Sequence, residues 1–542
     1  MGDENGRRAS VDVLVVGAGP TGLALAAELA RRDVRVRIVD RQLDRVRESR
    51  ALAIQPRTLE VLAPLGVTAE LLRRGNRAVA VQVHFPRRVV RMPLFDLGTR
   101  DTRYPFLLFL SQAETEQVLG QDLDARGVRL ERGVELVGFV DGTDAATCTL
   151  RDAGGREETV EAQFVVGCDG SHSTVRRLAG IPFTGSAYPQ TFVLADLEAD
   201  GIEPGAAHAF LGRSGMLFFF PLGSPSTWRM LAMRPLGEPV GPDEAVRLPE
   251  VQALADRYTG GGVRVRDPVW MTRFRLHNRG AAHYRAGRAF VAGDAAHVHS
   301  PAGAQGMNTG IQDAVNLAWK LALVTAGGGR RALLDTYEAE RAPVGRTVLR
   351  FTDRAFTVAT STNASVVLAR TRLAPAVLPT LARSRAGRAC AFRTLSELGI
   401  RYRHSPLSVD GPGSFGRAVR AGDRLPDAPV VVDGRLTTLH EATAGRAFHL
   451  IMLGPVDHWA LDAAPALAGL EVEVTVLRLS RLAGPRVLHD GSGRVHRLLG
   501  VDGSRPGHLL VRPDGYVAYR GGRDLSGLRA YLDAWFTRRV RG

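Results

Sequence analysis

The residues of this chain that could do chemistry lie in glycine- and aspartate-rich stretches behind strand-like runs. In the first, the apolar run Val11–Val16 leads into GAGPTG, a helical segment rich in alanine and leucine, and a second strand that ends in Asp40. In such a pattern Gly17 makes a tight turn, Gly19 lets the backbone approach a pyrophosphate, and Gly22 allows close packing of helix on strand. The acid would bind a ribose hydroxyl. The pattern predicts a dinucleotide site; a glycine-rich turn of another α/β fold is the alternative.

Two later stretches repeat this combination of a strand end, an acid and glycines. Residues 288–314, RAFVAGDAAHVHSPAGAQGMNTGIQDA, run from a short strand into Gly-Asp, a loop of small residues and a helix that begins near Gly306. A helix N-terminus favours negative charge, and Asp294 can bind hydroxyl groups. Residues 163–176, QFVVGCDGSHSTVR, place Asp169 between glycines after a strand. There it can meet cofactor groups, or act only as a helix cap.

The elements between these stretches change character at about residue 181. Strand-like segments dominate from 181 to 274, and the motif order returns to the first domain at Arg288, so we predict an inserted antiparallel sheet. In a strand, Phe218 and Phe220 share one face and Phe219 the other. We expect Phe218 and Phe220 to roof an apolar substrate pocket; plain core packing is the alternative. The predicted strands are Thr191–Ala195, Ala207–Leu211, Met216–Pro221 and Trp228–Met233.

A further module begins near residue 411. Its βαββα order, with a hairpin turn at Pro513-Asp514-Gly515 and a closing helix Leu525–Trp535, suits a thioredoxin-like fold. It contains no cysteine, so dithiol chemistry cannot operate, and we expect a role in packing or dimerisation.

The predicted fold class is therefore α/β. A Rossmann-like cofactor domain (10–180 and 275–400) carries an inserted antiparallel-sheet substrate domain (181–274) and a C-terminal thioredoxin-like domain without CxxC (411–542).

Composition and charge exclude several other classes. The 542 residues carry a net charge of +15, but the cations are scattered arginines and Lys320 is the only lysine, so we expect no nucleic-acid partner. Three cysteines without paired spacing argue against a disulfide framework and indicate a cytoplasmic protein. His297 and His299 lack further ligands, so we expect no metal. The apolar runs are too short to span a membrane.

The ordered set GAGPTG, GCDG and GDAAHVHSPAGAQGMN resembles the group A FAD-dependent monooxygenases of the para-hydroxybenzoate hydroxylase type. With the cysteine-free tail, the chain looks like the phenol hydroxylase-like and aromatic-polyketide branch of that family. The resemblance implies that NADPH (or NADH) reduces FAD, O₂ adds, and a flavin C4a-hydroperoxide hydroxylates an aromatic, polyketide-derived small molecule. The catalytic residues remain unknown, and a monomer or a homodimer is expected.

The resemblance also implies which residues bind FAD. Those near the ADP half are Gly17, Gly19, Pro20, Thr21, Gly22, Asp40 and Arg41. Those near phosphate, adenosine and ribityl groups are Arg50, Gln112, Asp169 and Asp294. Those around the isoalloxazine are Pro301, Gly303, Gly306, Met307 and Asn308.

Three alternatives stay open on the same scaffold. The first is a Baeyer–Villiger oxygenation of a polyketide, the second a flavin dehydrogenase that is not an oxygenase, and the third a redox-silent flavoprotein that scaffolds other enzymes. A flavin halogenase is disfavoured, because that chemistry uses a lysine near the first cofactor motif and a tryptophan-rich stretch. Here Lys320 lies far from that motif and the tryptophans are isolated.

Overall fold

A computed structural model provides the structure of the chain. The residues that it describes are 9–44, 51–78, 80–85, 88–93, 101–212, 215–223, 226–235, 245–300, 304–361, 363–377, 384–413, 418–454, 459–485, 487–501 and 505–539.

The first domain is built on a largely parallel sheet whose apolar strands are covered by helices on one side. On the other side they pack with the strands Val134–Val140 and Ala146–Asp152 and the short helix Thr174–Leu178. The strand Ala9–Val16 lies between Glu157–Gly167 and Val36–Asp40, parallel to both. The sheet order is Arg285–Ala286, Ala289–Val291, Glu157–Gly167, Ala9–Val16, Val36–Asp40 and Leu130–Arg132. Ala146–Asp152 pairs antiparallel with Glu157–Gly167, and Val134–Val140 pairs antiparallel with Ala146–Asp152. A small sheet joins Ala53–Ile54, Leu107–Phe109 and Asn76–Ala78.

Two buried helices cover this sheet at the motifs: Pro20–Ala30 and Gly306–Thr325, which pack against each other in one hydrophobic core. The long helix Asp335–Thr360 continues through Pro343, although a helix ending before this proline is the simpler expectation from sequence. The remaining helices of this part are Pro56–Leu62, Ala63–Leu65 (3₁₀), Thr68–Arg74, Gln112–Ala125, Thr174–Leu178, Gly293–Ala295 (3₁₀), Arg331–Leu334 (3₁₀), Ala364–Leu368, Ala369–Leu373 (π) and Arg385–Leu395.

The second sheet is almost entirely antiparallel, as expected, and larger than the predicted insertion. It includes two strands from before residue 181, and the strand Arg264–Ala281 runs across residues 274 and 275. Helix Leu248–Thr259 packs on one face and Phe356 of helix Asp335–Thr360 on the other. The sheet order is His297–Val298, Arg264–Ala281, Phe183–Asp200, Trp228–Met233, Met216–Pro221, Ala207–Leu211, Ala80–Phe85 and Arg88–Pro93.

The C-terminal module has a mixed sheet of its own. Its centre is the parallel pair Phe448–Leu453 and Val474–Ser480, extended antiparallel by the hairpin Gly507–Val511 and Val517–Gly521, which is the arrangement of a thioredoxin-like sheet. The sheet order is Val409–Asp410, Val517–Gly521, Gly507–Val511, Phe448–Leu453, Val474–Ser480, Val487–His489, Pro429–Val432 and Arg435–Thr438. The helices are Leu439–Ala442, Trp459–Leu467, Arg494–Leu499 and Ser526–Trp535.

Buried charges join this module to the first domain. Arg512 donates to both oxygens of Glu340 at 2.6 and 2.9 Å, and the amine of Lys320 donates to the same carboxylate at 2.8 Å. The indole of Trp319 donates to Asp514 at 3.2 Å and packs edge-on against Phe448. The module therefore shares a core with the first domain, which supports the packing half of its expected role.

No helix in the described ranges combines the length and apolar character needed to cross a bilayer.

Candidate functional site

The three glycine- and aspartate-rich stretches meet at one edge of the parallel sheet. Val16 is in register with Gly167, and Gly167 with Val291. The backbone continues this pairing beyond the strands, because Cys168 N–H donates to Val16 O at 2.7 Å and Ala292 N–H to Gly167 O at 3.0 Å. We call this region the glycine edge: residues 17–22, 167–170 and 293–294 at the carboxyl ends of the strands, together with residues 306–308 at the start of helix Gly306–Thr325, which packs on the turn at Gly293. Ligands of open α/β sheets bind at such edges.

Within the first stretch, the glycines meet different surroundings. Gly17 has φ of +102°, and a Cβ there would lie 2.4 Å from the carbonyl oxygen of Cys168. A Cβ on Gly22 would lie 1.9 Å from the oxygen of Gly17, whereas a Cβ on Gly19 would have no atom within 4 Å. Gly17 and Gly22 are thus required by packing, and Gly19 faces open space at a helix N-terminus, where a phosphate can approach.

Asp40 closes the first stretch from the neighbouring strand. Its carboxylate accepts from Ala18 N–H at 2.6 Å and from Gln42 N–H at 2.8 Å. It therefore sits beside the glycine turn, next to the exposed Arg41. This is the position from which a ribose contact is predicted, although in this structure the carboxylate also holds the turn.

Thr21 links the first and third stretches. Pro20 opens the helix, and the Thr21 hydroxyl lies where a Cβ on Gly293 or on Gly310 would fall, at 2.5 and 2.4 Å. Gly310 was not singled out from the sequence, although its spacing from Gly306 offered a weak signal. Small residues here bring helix Gly306–Thr325 close to the first turn of helix Pro20–Ala30.

The structure shows the helix-cap role considered for Asp169, while its cofactor role stays a prediction. One carboxylate oxygen accepts from Thr174 N–H at 2.6 Å and Val175 N–H at 3.2 Å, so it does cap helix Thr174–Leu178. The other oxygen is buried without a hydrogen-bond partner in the described structure. Burial raises the pKa of Asp169 because it disfavours the charged form more than the hydrogen bonds favour it. An oxygen in this state is available to a ligand hydroxyl.

Asp294 is exposed between the buried residues Gly293 and Ala295, in the turn that follows Ala289–Val291. A buried cluster fixes this turn from behind. Asp313 accepts from Gly293 N–H at 3.1 Å, from His297 at 2.7 Å and from Arg341 at 2.6 Å.

Burial alone would raise the pKa of the Asp313 carboxyl, but the Arg341 and His297 charges and hydrogen bonds hold it below its ordinary value. Arg341 also donates to Thr309 O at 3.1 Å and to the Tyr402 hydroxyl at 2.8 Å. This cluster could not be predicted from the sequence, since its members are far apart along the chain.

The N-terminus of helix Gly306–Thr325 lies beside this turn. The Asn308 side chain accepts from Gln55 N–H at 2.8 Å and donates to the oxygens of Ala53 and Ala304, each at 2.8 Å. The Asn308 side chain therefore binds protein, so a contact of this residue with a ligand would have to come from its backbone. Gln112 similarly contacts residue 51, accepting from its N–H at 3.5 Å. Arg50, Pro301 and Gly303 lie outside the described residues.

The antiparallel sheet presents an aromatic face toward helix Asp335–Thr360. The rings of Phe218 and Phe220 stack at 5.6 Å and are half-buried, while Phe219 lies on the opposite face at 0% exposure. We define the aromatic face as Phe192, Phe218, Phe220, Trp270 and Phe274, which belong to one cluster.

Two polar pairs lie on or beside the aromatic face. Arg229 makes a bidentate ion pair with Asp196, at 2.6 Å for each contact, and donates to Ala51 O at 3.1 Å. At the end near helix Asp335–Thr360, the Tyr188 hydroxyl donates to Asp353 at 2.7 Å. The first pair connects the aromatic face to the segment that also holds Gln112 and Asn308, so the face adjoins the glycine edge.

Comparison with known families identifies the chain. A family model described as an FAD binding domain matches residues 10–352, and one described as the C-terminal part of aromatic-ring hydroxylases matches residues 418–538. The chain belongs to the FAD-dependent aromatic-ring hydroxylases. It is a monooxygenase that uses FAD, and the resemblance seen in the sequence is confirmed, as is the α/β fold class.

Individual relatives of this FAD-dependent monooxygenase agree over almost the whole chain. It is 39% identical to 6-methylpretetramide 4-monooxygenase of Streptomyces rimosus over 94% of this chain and 91% of that one. The flavin-dependent monooxygenase PieE, solved with FAD and substrate, superposes with a TM-score of 0.80 at 26% identity, over 97% and 98% of the two chains. The Diels-Alderase PyrE3 of pyrroindomycin biosynthesis superposes with a TM-score of 0.71 at 29% identity, over 97% and 100%.

The glycine edge fits the FAD that this family uses. The open space above Gly19, the partnerless oxygen of Asp169 and the helix N-terminus at Gly306 supply, in turn, access for phosphate, an acceptor for hydroxyls and a positive end for an electron-rich ring. Among the described residues, no cluster of three or more His, Cys, Asp or Glu side chains could hold a metal ion.

Proposed function

We propose that this monooxygenase inserts one oxygen atom into a multi-ring aromatic, polyketide-derived substrate held against the aromatic face. The observation that carries the proposal is the junction of the aromatic face with the glycine edge through Arg229 and Ala51. The relative that acts on a pretetramide supports a substrate of this size. The reaction consumes one O₂ and one NADPH (or NADH) with a proton, and releases hydroxylated product, water and oxidised nicotinamide.

Specific residues of the glycine edge would bind FAD, which supplies hydride acceptance and oxygen activation when bound. Gly19 and the first turn of helix Pro20–Ala30 would receive the pyrophosphate, and Asp40 the adenosine ribose. Asp169 and Asp294 would accept hydrogen bonds from ribityl or ribose hydroxyls. The remaining predicted FAD contacts, including those outside the described residues, stay predictions.

The protein's own work in the reaction is electrostatic and steric. Backbone N–H groups at the start of helix Gly306–Thr325 would stabilise negative charge on the reduced ring. The cluster around Asp313 holds the turn of Asp294 and the same helix in fixed relation, so these dipoles need no reorganisation. The rings of Phe218 and Phe220 would orient an aromatic substrate and exclude water from it.

The test is a substrate screen with purified holoenzyme. Phenols and multi-ring polyketides are added to the enzyme with NADPH, and NADPH oxidation, peroxide and product mass are measured together. The proposal expects a polyketide to stimulate oxidation and to gain one oxygen with little peroxide. Stimulation by simple phenols alone, or peroxide without product, would contradict it. A product whose NMR spectrum shows a lactone or opened ring would establish the Baeyer–Villiger alternative.

One observation favours a second candidate. The structural likeness to a Diels-Alderase shows that this fold also accompanies a cyclisation, so a redox-silent role is a real alternative. Anaerobic mixing with NADPH separates the two, since rapid bleaching of the flavin absorbance is expected of the monooxygenase and would eliminate the redox-silent role.

A further inference from the structure

One buried acid near the glycine edge takes no part in the functions described so far. Glu397 lies in the turn after helix Arg385–Leu395, on the way to the C-terminal module, and is 3% exposed. Its φ is +59°, a left-handed conformation that is uncommon for a residue other than glycine. Such conformations persist only where surrounding contacts impose them, and they concentrate at functional positions.

The contacts that hold Glu397 come from the helix at the glycine edge. One carboxyl oxygen accepts from the Thr309 hydroxyl at 3.1 Å, and the other accepts from the Gln312 side-chain amide. Gln305, at the N-cap of helix Gly306–Thr325, donates at 3.3 Å to the carbonyl oxygen of Thr394, in the last turn of helix Arg385–Leu395 just before Glu397. The turn is thus bonded to the first two turns of helix Gly306–Thr325.

The charged groups around Glu397 do not neutralise it directly. In the described part of the chain, no arginine or lysine contacts its carboxyl; Arg341 acts from a distance and is itself bonded to Asp313. Burial, with a smaller contribution from the negative charge of Asp313, raises the pKa of Glu397 to about 8 against the lowering effects of Arg341 and of the two hydrogen bonds. Both protonation states can be accommodated, since the Thr309 hydroxyl can donate to a carboxylate or accept from a carboxyl O–H.

We propose that Glu397 is a positioning residue whose ionisation sets the charge behind the flavin end of helix Gly306–Thr325 and thereby tunes the reduction of bound FAD. This inference rests on the proposed placement of the isoalloxazine at Gly306–Asn308. A neutral Glu397 leaves the positive potential of the helix N-terminus intact. An ionised Glu397 adds a negative charge within the first two turns, where it opposes a negatively charged reduced ring.

The direction and size of the change in the midpoint potential of FAD follow from this electrostatic coupling. Ionisation of Glu397 should make FAD harder to reduce, so the midpoint potential should fall more steeply with pH once the pH exceeds about 8. Equivalently, reduced FAD should lose about tenfold in affinity relative to oxidised FAD between the neutral and ionised states, within the usual range of coupling between two sites.

The experiment measures the midpoint potential of bound FAD by spectroelectrochemical titration from pH 6 to pH 9.5. Glu397→Gln keeps the size of the side chain and cannot ionise; its amide oxygen can accept from Gln312 and its NH₂ can donate to the Thr309 hydroxyl, as a protonated Glu397 would. The matched control is Glu157→Gln, which removes an exposed acid on the strand Glu157–Gly167. For the wild-type enzyme and the control, the plot of midpoint potential against pH should bend downward near pH 8. The plot for Glu397→Gln should lack this bend.

The outcomes separate this inference from the proposed function. A wild-type profile without a bend would overturn the inference whether or not the variant folds, and so would an unchanged bend in Glu397→Gln. Failure of the wild-type protein to bind FAD would overturn the proposed function as well. A bend that is lost in Glu397→Gln alone, with oxidised FAD bound about as tightly as in the wild type, would establish the inference.

Discussion

The glycine edge and the aromatic face are adjacent, yet they are built by opposite means. At the glycine edge the backbone forms most of the surface, because Gly17, Gly22 and Gly310 let strands and helices come into contact. The Asp313 cluster stabilises this arrangement from the side away from the ligand site. On the aromatic face, large side chains from three strands supply the surface, and the backbone of these strands is paired within the sheet. A cofactor common to a family is held by a fixed backbone geometry, whereas a substrate surface can change by exchanging side chains.

The largest expected effect tests whether the backbone does define the glycine edge. Gly22→Ala places a methyl group 1.9 Å from a carbonyl oxygen that cannot move freely, so little folded protein is expected. Gly19→Ala is the matched variant, since its φ of −73° suits alanine and its Cβ meets open space. With FAD removed from both proteins, the thermal midpoint of Gly19→Ala should lie within about 2 °C of that of the wild type, while FAD affinity should fall at least about tenfold. Equal behaviour of the two variants would refute this distinction.

The next largest effect is a loss of stability when the buried Asp313 cluster behind the glycine edge is disrupted. Asp313→Asn leaves the Arg341 charge buried without its partner, and removal of one member of such a pair costs about 3–5 kcal/mol. The pKa of Asp313 is held below its ordinary value, so its contribution is complete at neutral pH and is lost as the pH falls below about 4.

Chemical denaturation between pH 3 and pH 7 measures both the loss of stability in Asp313→Asn and its dependence on pH. The variant should be less stable at pH 7 and should lose less stability on acidification than the wild type. A stability at pH 7 equal to that of the wild type would show that the ion pair does not brace the edge.

Three consecutive phenylalanines allow a core position to be compared with two positions on the aromatic face. Phe219 is fully buried in the core beneath helix Leu248–Thr259, so Phe219→Ala should cost about 3–5 kcal/mol. Phe218→Ala and Phe220→Ala, at half-buried positions, should cost less and should raise KM for the aromatic substrate. Denaturation and steady-state kinetics give both values. Similar losses of stability in all three variants, with unchanged KM, would favour plain core packing.

The smallest effect on stability should come from the exposed acid of the glycine edge. Compared as FAD-free proteins, Asp294→Ala and the wild type should differ in free energy of unfolding by less than about 0.5 kcal/mol, as is usual for exposed positions, yet the variant as purified should lack the FAD that the wild type retains. The ratio of flavin absorbance to protein absorbance measures this loss. Full flavin occupancy would remove Asp294 from the cofactor site.

The same difference in construction explains what could be predicted from the sequence. The fold class and the meeting of three motifs were accessible because each motif combines strand, glycine and acid within a few residues. The Asp313–Arg341–His297 cluster was not, because its contacts form only when helices from distant parts of the chain pack together. Arg229 and Asp196 gave no signal either, since a polar residue in a strand ordinarily indicates its solvent face.

Element lengths were harder to predict than element positions. The strands Ala207–Leu211, Met216–Pro221 and Trp228–Met233 match their predicted bounds, but Phe183–Asp200 and Arg264–Ala281 extend far beyond any apolar alternation. Long-range pairing between these two strands, with irregularities in register, sustains them where local pattern does not. Similarly, tertiary packing carries helix Asp335–Thr360 through Pro343, although proline removes a backbone donor.

The burial of Lys320 gives this enzyme an unusual response to chemical labelling. It is the only lysine of the sequence, it is fully shielded, and its amine is bonded to Glu340 beneath the C-terminal module. An amine-selective reagent therefore finds no accessible lysine in the intact fold, and modification at position 320 would register each separation of the module from the first domain. Random coupling through lysines to beads or dyes would, by the same reasoning, capture molecules that have already come apart.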